Sequence, residues 1–364
     1  METRLEISLT ALKHNYLALR SKLKPKTHFL AVIKAFGYGS EAVSVAQHLE
    51  DLGVNYFAVA YIKEGVALRT AGIKTPILVL HPQPINFKTA IEFNLEPSLY
   101  SFRVLHEFLN VTKQLKVKEH PVHLKFNTGL NRLGFNKDDV EKTSSLLLNN
   151  PSVRVVSIFS HLTASEDLNE TLFTENQIEE FNFIARHFEK HYGYRPKRHL
   201  SNTSGVLNYP DAEFEMVRCG IGLYGYDNND HNSLKLLPVV ALKTVISQIH
   251  HINKNDSVGY NRAYVALEPR RIATLPLGHA DGISRQYGNG VGFVKINNNN
   301  APIVGNVCMD MIMVDVTDLS CEEGDEVVIF NSSNSASLLA QKAGTISYEL
   351  LTAMSQRITR VVVP

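Results

Sequence analysis

Hydrophobic positions follow two different rhythms along this chain. Leu5, Ile7 and Leu9 alternate with Glu6 and Ser8, the period-two pattern of a short strand with one buried face. Thr10 then predicts an N-cap for a helix carrying Leu12, Tyr16, Leu17 and Leu19. Apolar segments recur near residues 28–34, 56–60, 76–80, 96–99, 122–126, 154–160, 197–201 and 215–218. Helical stretches lie between most of them. One covers 41–52, with Ala42, Val45, Ala46 and Leu49 on one side and Gly53 as its C-cap. Eight strands alternating with helices over about 210 residues predict an α/β fold of (β/α)8 TIM-barrel type.

Beyond Leu236 the rhythm changes. Residues 239–246, 271–277, 292–296, 301–316 and 325–330 are β-rich and separated by Gly, Asn and Pro turns, and one helix is expected near 337–343. The run 297–300 of asparagines reads as a surface turn. These patterns predict a barrel over residues 9–235 and a mainly-β domain over 236–364, with the strand of residues 1–8 packing on the second. No long linker separates them, so close packing is expected.

Composition narrows the function classes. The 364 residues carry 37 Lys plus Arg against 36 Asp plus Glu, so no global field points to nucleic acid or a membrane surface. Hydrophobic residues at 44% and charged ones at 20% are ordinary for a soluble globular protein. No apolar run approaches the roughly 20 residues that span a bilayer. The first residues lack the apolar centre of a signal peptide. Cys219, Cys308 and Cys321 have no metal-ligand spacing and are too few for a disulfide framework, so a reducing cytoplasm and no metal site are expected.

Chemistry-bearing residues collect where the predicted strands end, the functional face of such a barrel. Lys34 closes the first strand and is followed at once by Gly37 and Gly39. A lysine half desolvated there can act as an amine nucleophile and form a Schiff base, and Tyr38 in the glycine-flanked turn can reach a phosphate. Lys125 lies in the fifth strand, with Asn127, Thr128 and Arg132 just beyond. Ser160 and His161 end the sixth strand, Ser201, Asn202, Thr203 and Ser204 the seventh, and Arg218, Gly220 and Ile221 the eighth. Backbone N–H groups at Gly220 and Ile221, with the hydroxyls of Thr203 and Ser204, make a phosphate site.

The string Lys34-Ala35-Phe36-Gly37-Tyr38-Gly39 resembles the pyridoxal-phosphate lysine motif of the alanine racemases, usually Lys-Ala-Asn-Ala-Tyr-Gly-His-Gly. Six further segments, in the same order, are similar to that family. They are the run from Lys125 to Phe135, the histidine loop from Ser160 to Asp167, and Arg218-Cys219-Gly220-Ile221-Gly222-Leu223-Tyr224-Gly225. In the β part they are the tyrosine loop from Val258 to Tyr264, Gly305 to Asp310, and Thr345 to Glu349. The resemblance covers essentially the whole chain.

It implies pyridoxal 5′-phosphate held by Lys34, with Tyr38, Asn202, Thr203, Gly220, Ile221 and Tyr348 around the phosphate end. It implies interconversion of L- and D-alanine by two bases on opposite faces, Lys34 on the D face and Tyr260 on the L face. Arg218, always a donor, would face the pyridine nitrogen and keep it unprotonated, with His161 orienting it. Arg132, Met309 and Asp310 would serve the substrate side, Arg132 through the cofactor's phenolate oxygen. In this family Tyr260 and the Met309-Asp310 segment come from the partner subunit, which implies a head-to-tail homodimer with shared active sites. D-alanine for peptidoglycan would be the product.

Departures are confined to a few positions. Phe36, Gly37, Ser40 and Glu41 differ within the lysine motif, Asn127 stands where aspartate is common, and His279 replaces a tyrosine near the substrate entry. Lys125 corresponds to a lysine that is carbamylated in some relatives. Three rival readings are a decarboxylase of the same architecture, a single-domain pyridoxal-phosphate carrier, and a racemase of broader specificity. The first needs an acid where Arg218 stands, and the second stops near the end of the barrel.

Overall fold

A computed structural model of the protein describes residues 2–227 and 234–364. The first strand, β1 (Arg4–Ser8), buries Leu5 and Ile7. The helix Leu9–Arg20 follows without a break. Its cap is Ser8 and not Thr10: the Ser8 hydroxyl accepts from the Ala11 amide at 3.1 Å, so Leu9 is already helical.

Eight parallel strands come next: β2 (His28–Val32), β3 (Tyr56–Val59), β4 (Ile77–Val79), β5 (Glu96–Leu99), β6 (His120–Lys125), β7 (Val153–Phe159), β8 (Lys197–His199) and β9 (Met216–Cys219). Their order is β8-β7-β6-β5-β4-β3-β2-β9, with helices in the connections. Burial of β3 and β4 on both faces matches their unbroken apolar sequences. The ladder between β8 and β9 is missing from an otherwise continuous wall. A single backbone bond, from the Arg218 amide to the Ser201 carbonyl at 3.0 Å, crosses that seam. This is the expected (β/α)8 architecture, closed in all but one ladder.

The remainder is mainly β: β10 (Val240–Val245), β11 (Gln248–Ile252), β12 (Ser257–Val258), β13 (Tyr264–Val265), β14 (Arg270–Leu275), β15 (Phe293–Ile296), β16 (Asn299–Val304), β17 (Ile312–Asp315), β18 (Glu326–Phe330) and β19 (Thr359–Val363). All but the β12–β13 hairpin join one sheet of order β11-β14-β17-β16-β15-β18-β10-β1-β19. β1 lies inside it, antiparallel to β10 and parallel to β19.

Several details differ from the pattern-based expectation. The 301–316 segment splits, because Gly305 at φ +65° starts a loop that ends at β17. Of the four asparagines, Asn297 and Asn298 make the turn with positive φ, whereas Asn299 and Asn300 belong to β16. A second helix, Ser347–Thr352, follows Ala336–Lys342. β11 is missed because its residues are mostly exposed and carry no alternating signal.

The two parts interlock beside the end of β2. Residues Lys34–Tyr38 form a turn in which Ala35, Phe36, Gly37 and Tyr38 all have positive φ, and Gly39 follows at +81°. Such left-handed coil costs roughly 1–2 kcal/mol for each residue with a Cβ, so Ala35, Phe36 and Tyr38 need external support. Glu64 gives it on one side, accepting from the Ala35 amide at 2.6 Å and from the Ala60 and Tyr61 amides at 2.7 and 3.0 Å. Arg360 of β19 gives it on the other, donating to the Ser40 carbonyl at 3.0 Å and the Gly39 carbonyl at 2.9 Å. Gly39 is required doubly, since a Cβ there would sit 1.9 Å from the Leu351 carbonyl oxygen.

Candidate active site

The C-terminal mouth of the barrel brings most of the predicted side chains together. Lys34 leaves β2 half-buried at the head of the left-handed turn. Burial lowers its pKa, and the charge of Arg132 adds to that, against an opposing pull from Glu64. Lys125 at the end of β6 is buried and pushed down to about 8, by desolvation first and then by the charges of Arg132, Arg218 and Lys34. The mouth is therefore a cationic cluster suited to an anionic ligand.

Arg218 occupies the last strand and is buried. Its Nη1 donates to His199 Nδ1 at 2.8 Å and the His199 carbonyl at 3.0 Å. Its Nη2 donates to the Ser160 carbonyl at 2.7 Å, the Leu200 carbonyl at 2.9 Å and His161 Nδ1 at 3.0 Å. Both terminal nitrogens are thus committed across the β8–β9 seam. Burial and the Arg218 charge hold His161 well below the ordinary histidine pKa, so the ring is neutral and accepts through Nδ1.

A phosphate-sized cradle lies between β9 and the turn. The Thr203 hydroxyl accepts from the Gly220 amide at 3.3 Å and the Gly222 amide at 3.4 Å. Tyr38 is buried, stacks on Tyr224 with ring centroids 4.6 Å apart, and tilts against Tyr348 at 6.0 Å. A Cβ on residue 220 would sit 2.3 Å from the Tyr38 hydroxyl, so only glycine keeps this space open. Ile221 starts the next short turn and is buried. Asn202 caps the helix Thr203–Asn208, its side-chain oxygen accepting from the Gly205 amide at 2.8 Å and the Ser165 hydroxyl at 2.9 Å. Asn202 therefore fixes the position of Thr203.

Tyr260, Met309 and Asp310 stand apart from that cluster. Tyr260 sits between β12 and β13; the residue is 72% exposed, and its phenol makes no hydrogen bond among the described residues. Met309 is also exposed, its carbonyl accepting from the Ala280 amide at 3.0 Å. The Asp310 carboxylate accepts from Arg357 at 2.7 Å, and Arg357 also binds Asp281 at 2.7 and 2.9 Å. None of the three makes a hydrogen bond or ring contact with the barrel cluster.

Comparison with known proteins decides the family. The alanine racemase N-terminal domain model matches residues 7–228, and the alanine racemase C-terminal domain model matches 239–362. The chain belongs to the alanine racemase family. Alanine racemase 2 of Oceanobacillus iheyensis is 34% identical over 368 residues, covering 99% of this chain and 93% of the relative. The solved alanine racemase of Clostridium difficile 630 superposes with a TM-score of 0.94 at 31% identity, over 100% of this chain and 96% of that one. The Bartonella henselae alanine racemase, solved with covalently bound pyridoxal phosphate, gives 0.91 at 27% identity over 100% of both chains.

Sequence reasoning missed four supports in this racemase fold. Glu64 and Arg360 hold the Lys34 turn, and His199 with Glu96 lies behind Arg218. Polar residues at inward positions of apolar strands, His123 and Ser157 among them, were the available signal.

Proposed function

We propose that Lys34 and Tyr260 exchange protons with opposite faces of alanine in this enzyme, which interconverts L- and D-alanine with pyridoxal 5′-phosphate. The observation that carries the reading is the half-buried amine of Lys34, its pKa lowered by burial, beside the Gly220 cradle that a Cβ would fill. The residues fit the cofactor: an amine for its aldehyde, amides and hydroxyls for its phosphate, and a guanidinium for its ring nitrogen. Pyridoxal phosphate supplies an electron sink that makes the Cα–H of a bound amino acid acidic.

The chain's own groups do the rest. Lys34, once freed, removes or returns the proton on the D face, and the Tyr260 phenol serves the L face. Arg218 would donate to the ring nitrogen and, being a permanent donor, would keep it unprotonated. That arrangement would favour reprotonation at Cα over decarboxylation or transamination. The Arg132 charge lowers the pKa of Lys34, Lys125 and His161, and Arg132 would bond the cofactor's phenolate oxygen. Met309 and Asp310 would line the substrate side, and Tyr38, Thr203, Gly220, Ile221 and Tyr348 would hold the phosphate.

The exposed phenol of Tyr260 needs a partner subunit to bring it to Lys34. Val265, Leu267, Met309 and Met311 are exposed on the same part of the β domain, the signature of an interface. The assembly is a head-to-tail homodimer whose two active sites each take Tyr260 from the other chain. D-alanine for peptidoglycan, made in the cytoplasm, is the product served; no described helix is long and apolar enough to cross a membrane.

Incubation of each alanine enantiomer in D2O tests the reading. Deuterium at Cα with loss of optical rotation from both directions supports it, and borohydride should fix the cofactor on Lys34. Release of CO2 would replace it with a decarboxylase.

A further inference from the structure

Behind Arg218 the barrel interior carries a row of polar side chains that no step above uses. His199 Nε2 lies 2.7 Å from Ser157 Oγ, Ser157 Oγ 2.5 Å from His123 Nδ1, and His123 Nε2 2.7 Å from Glu96 Oε2. With the Arg218–His199 bond, four contacts join a guanidinium to a carboxylate on the far side of the barrel. All five residues are buried.

The two ends dictate the direction of every proton. A guanidinium only donates and a carboxylate only accepts. His199 Nδ1 must therefore accept from Arg218, which leaves the ring proton on Nε2, donated to Ser157. The serine hydroxyl then passes its own proton to His123 Nδ1, and His123 donates from Nε2 to Glu96. With each imidazole carrying one proton, this arrangement satisfies all four contacts. Burial and the Arg218 charge keep His199 neutral, consistent with that count.

The surroundings lock the row in place. Phe159 stacks on His199 at 4.7 Å with the planes 10° apart, and the Arg218 guanidinium lies 5.3 Å from the same ring. Tyr56 meets His123 edge-on at 5.9 Å. Burial, and then the Glu96 charge, raises the Tyr56 phenol's pKa, so it stays a donor toward Glu96. Arg218 has no carboxylate in ion-pair contact among the described residues. A buried polar network is tolerable only when fully connected and matched in charge.

We propose that Glu96, acting through His123, Ser157 and His199, is a positioning residue for Arg218, a one-way relay that orients the guanidinium and offsets its charge from across the barrel. The inference rests on the reading of Arg218 as donor to the ring nitrogen. Glu96→Gln keeps the acceptor oxygen and the volume while removing the charge, and Ser157→Ala cuts the relay in its middle. Each should lower kcat about tenfold, which is about 1.4 kcal/mol, with KM for alanine nearly unchanged. The double variant should be no worse than either single one, because a broken relay cannot be broken again. Effects that multiply in the double variant overturn the proposal.

A second readout is independent of turnover. NMR of the full-length, cofactor-loaded protein with 15N-labelled histidine should show His123 and His199 as Nε2–H tautomers. Glu96→Gln should shift the Nδ1 signal of His199, and should not do so in the Ser157→Ala background. An Nδ1–H tautomer at either residue overturns the relay. Arg218→Lys separates the two levels of the argument. Racemisation damaged there but unchanged in Glu96→Gln overturns the relay alone, and racemisation unchanged in both overturns the relay together with the role given to Arg218.

Discussion

Tyr260 and Lys34 differ in how they are held, and that difference should be measurable. Lys34 is fixed at a strand end inside the barrel, whereas Tyr260 projects 72% exposed from a hairpin loop. On the proposed assignment, Tyr260→Phe removes one of the two proton carriers. Racemisation should fall by about 10²–10⁴-fold, the usual worth of a positioned acid or base. Deuterium exchange into D-alanine should persist while exchange into L-alanine is lost. Equal loss from both enantiomers would remove the face assignment. Lys125 makes a second prediction at this scale. Its pKa is depressed to about 8 in the fold against an ordinary 10.5, so the unfolded chain binds the proton more tightly between those values. Stability in bicarbonate-free buffer should therefore rise as pH climbs through that window, and Lys125→Met should flatten the rise in thermal melts.

At the scale of elements, the glycines near the mouth do two different jobs. Gly39 has φ +81° and abuts the Leu351 carbonyl, so Gly39→Ala strains the backbone and forces the two domains apart. A loss of about 1–3 kcal/mol or more in stability is expected from denaturant unfolding. Gly220 has φ −118° with ψ −93°, and a Cβ there would meet the Tyr38 hydroxyl at 2.3 Å and the ring carbon bearing it at 3.1 Å. Because Tyr38 is buried and stacked on Tyr224, Gly220→Ala should displace that ring, lowering stability in denaturant unfolding and weakening cofactor binding, read by equilibrium titration. The barrel strands were legible because buried parallel strands are short apolar runs bounded by turns. Lys34, His161 and Arg218 were legible because they end such runs. Glu64, Glu96, His199 and Arg360 were not, since each acts on a residue at least 19 positions away that no local period connects to it. The helix Ser347–Thr352 was absorbed into a motif for Tyr348, and its structural role against the Lys34 turn went unseen.

For the whole molecule, the proposed sharing of sites would make activity a property of the assembly. Specific activity should fall on dilution in step with the dimer fraction from sedimentation, while cofactor stays attached to Lys34 in the monomer. A fully active monomer would remove the shared site. The two domains within one chain are bound more firmly, because β1 lies between β10 and β19 and ties the start of the chain to its end.

The missing ladder between β8 and β9 has a consequence for anyone altering Arg218. Its guanidinium is mortar as well as reagent, satisfying carbonyls that neighbouring strands satisfy elsewhere in the wall. The enzyme has left its enclosure ajar at the spot where Arg218 is proposed to meet the cofactor, and closed it with that same residue. Selection on turnover and selection on integrity therefore press on one side chain, and neither can relax without the other noticing.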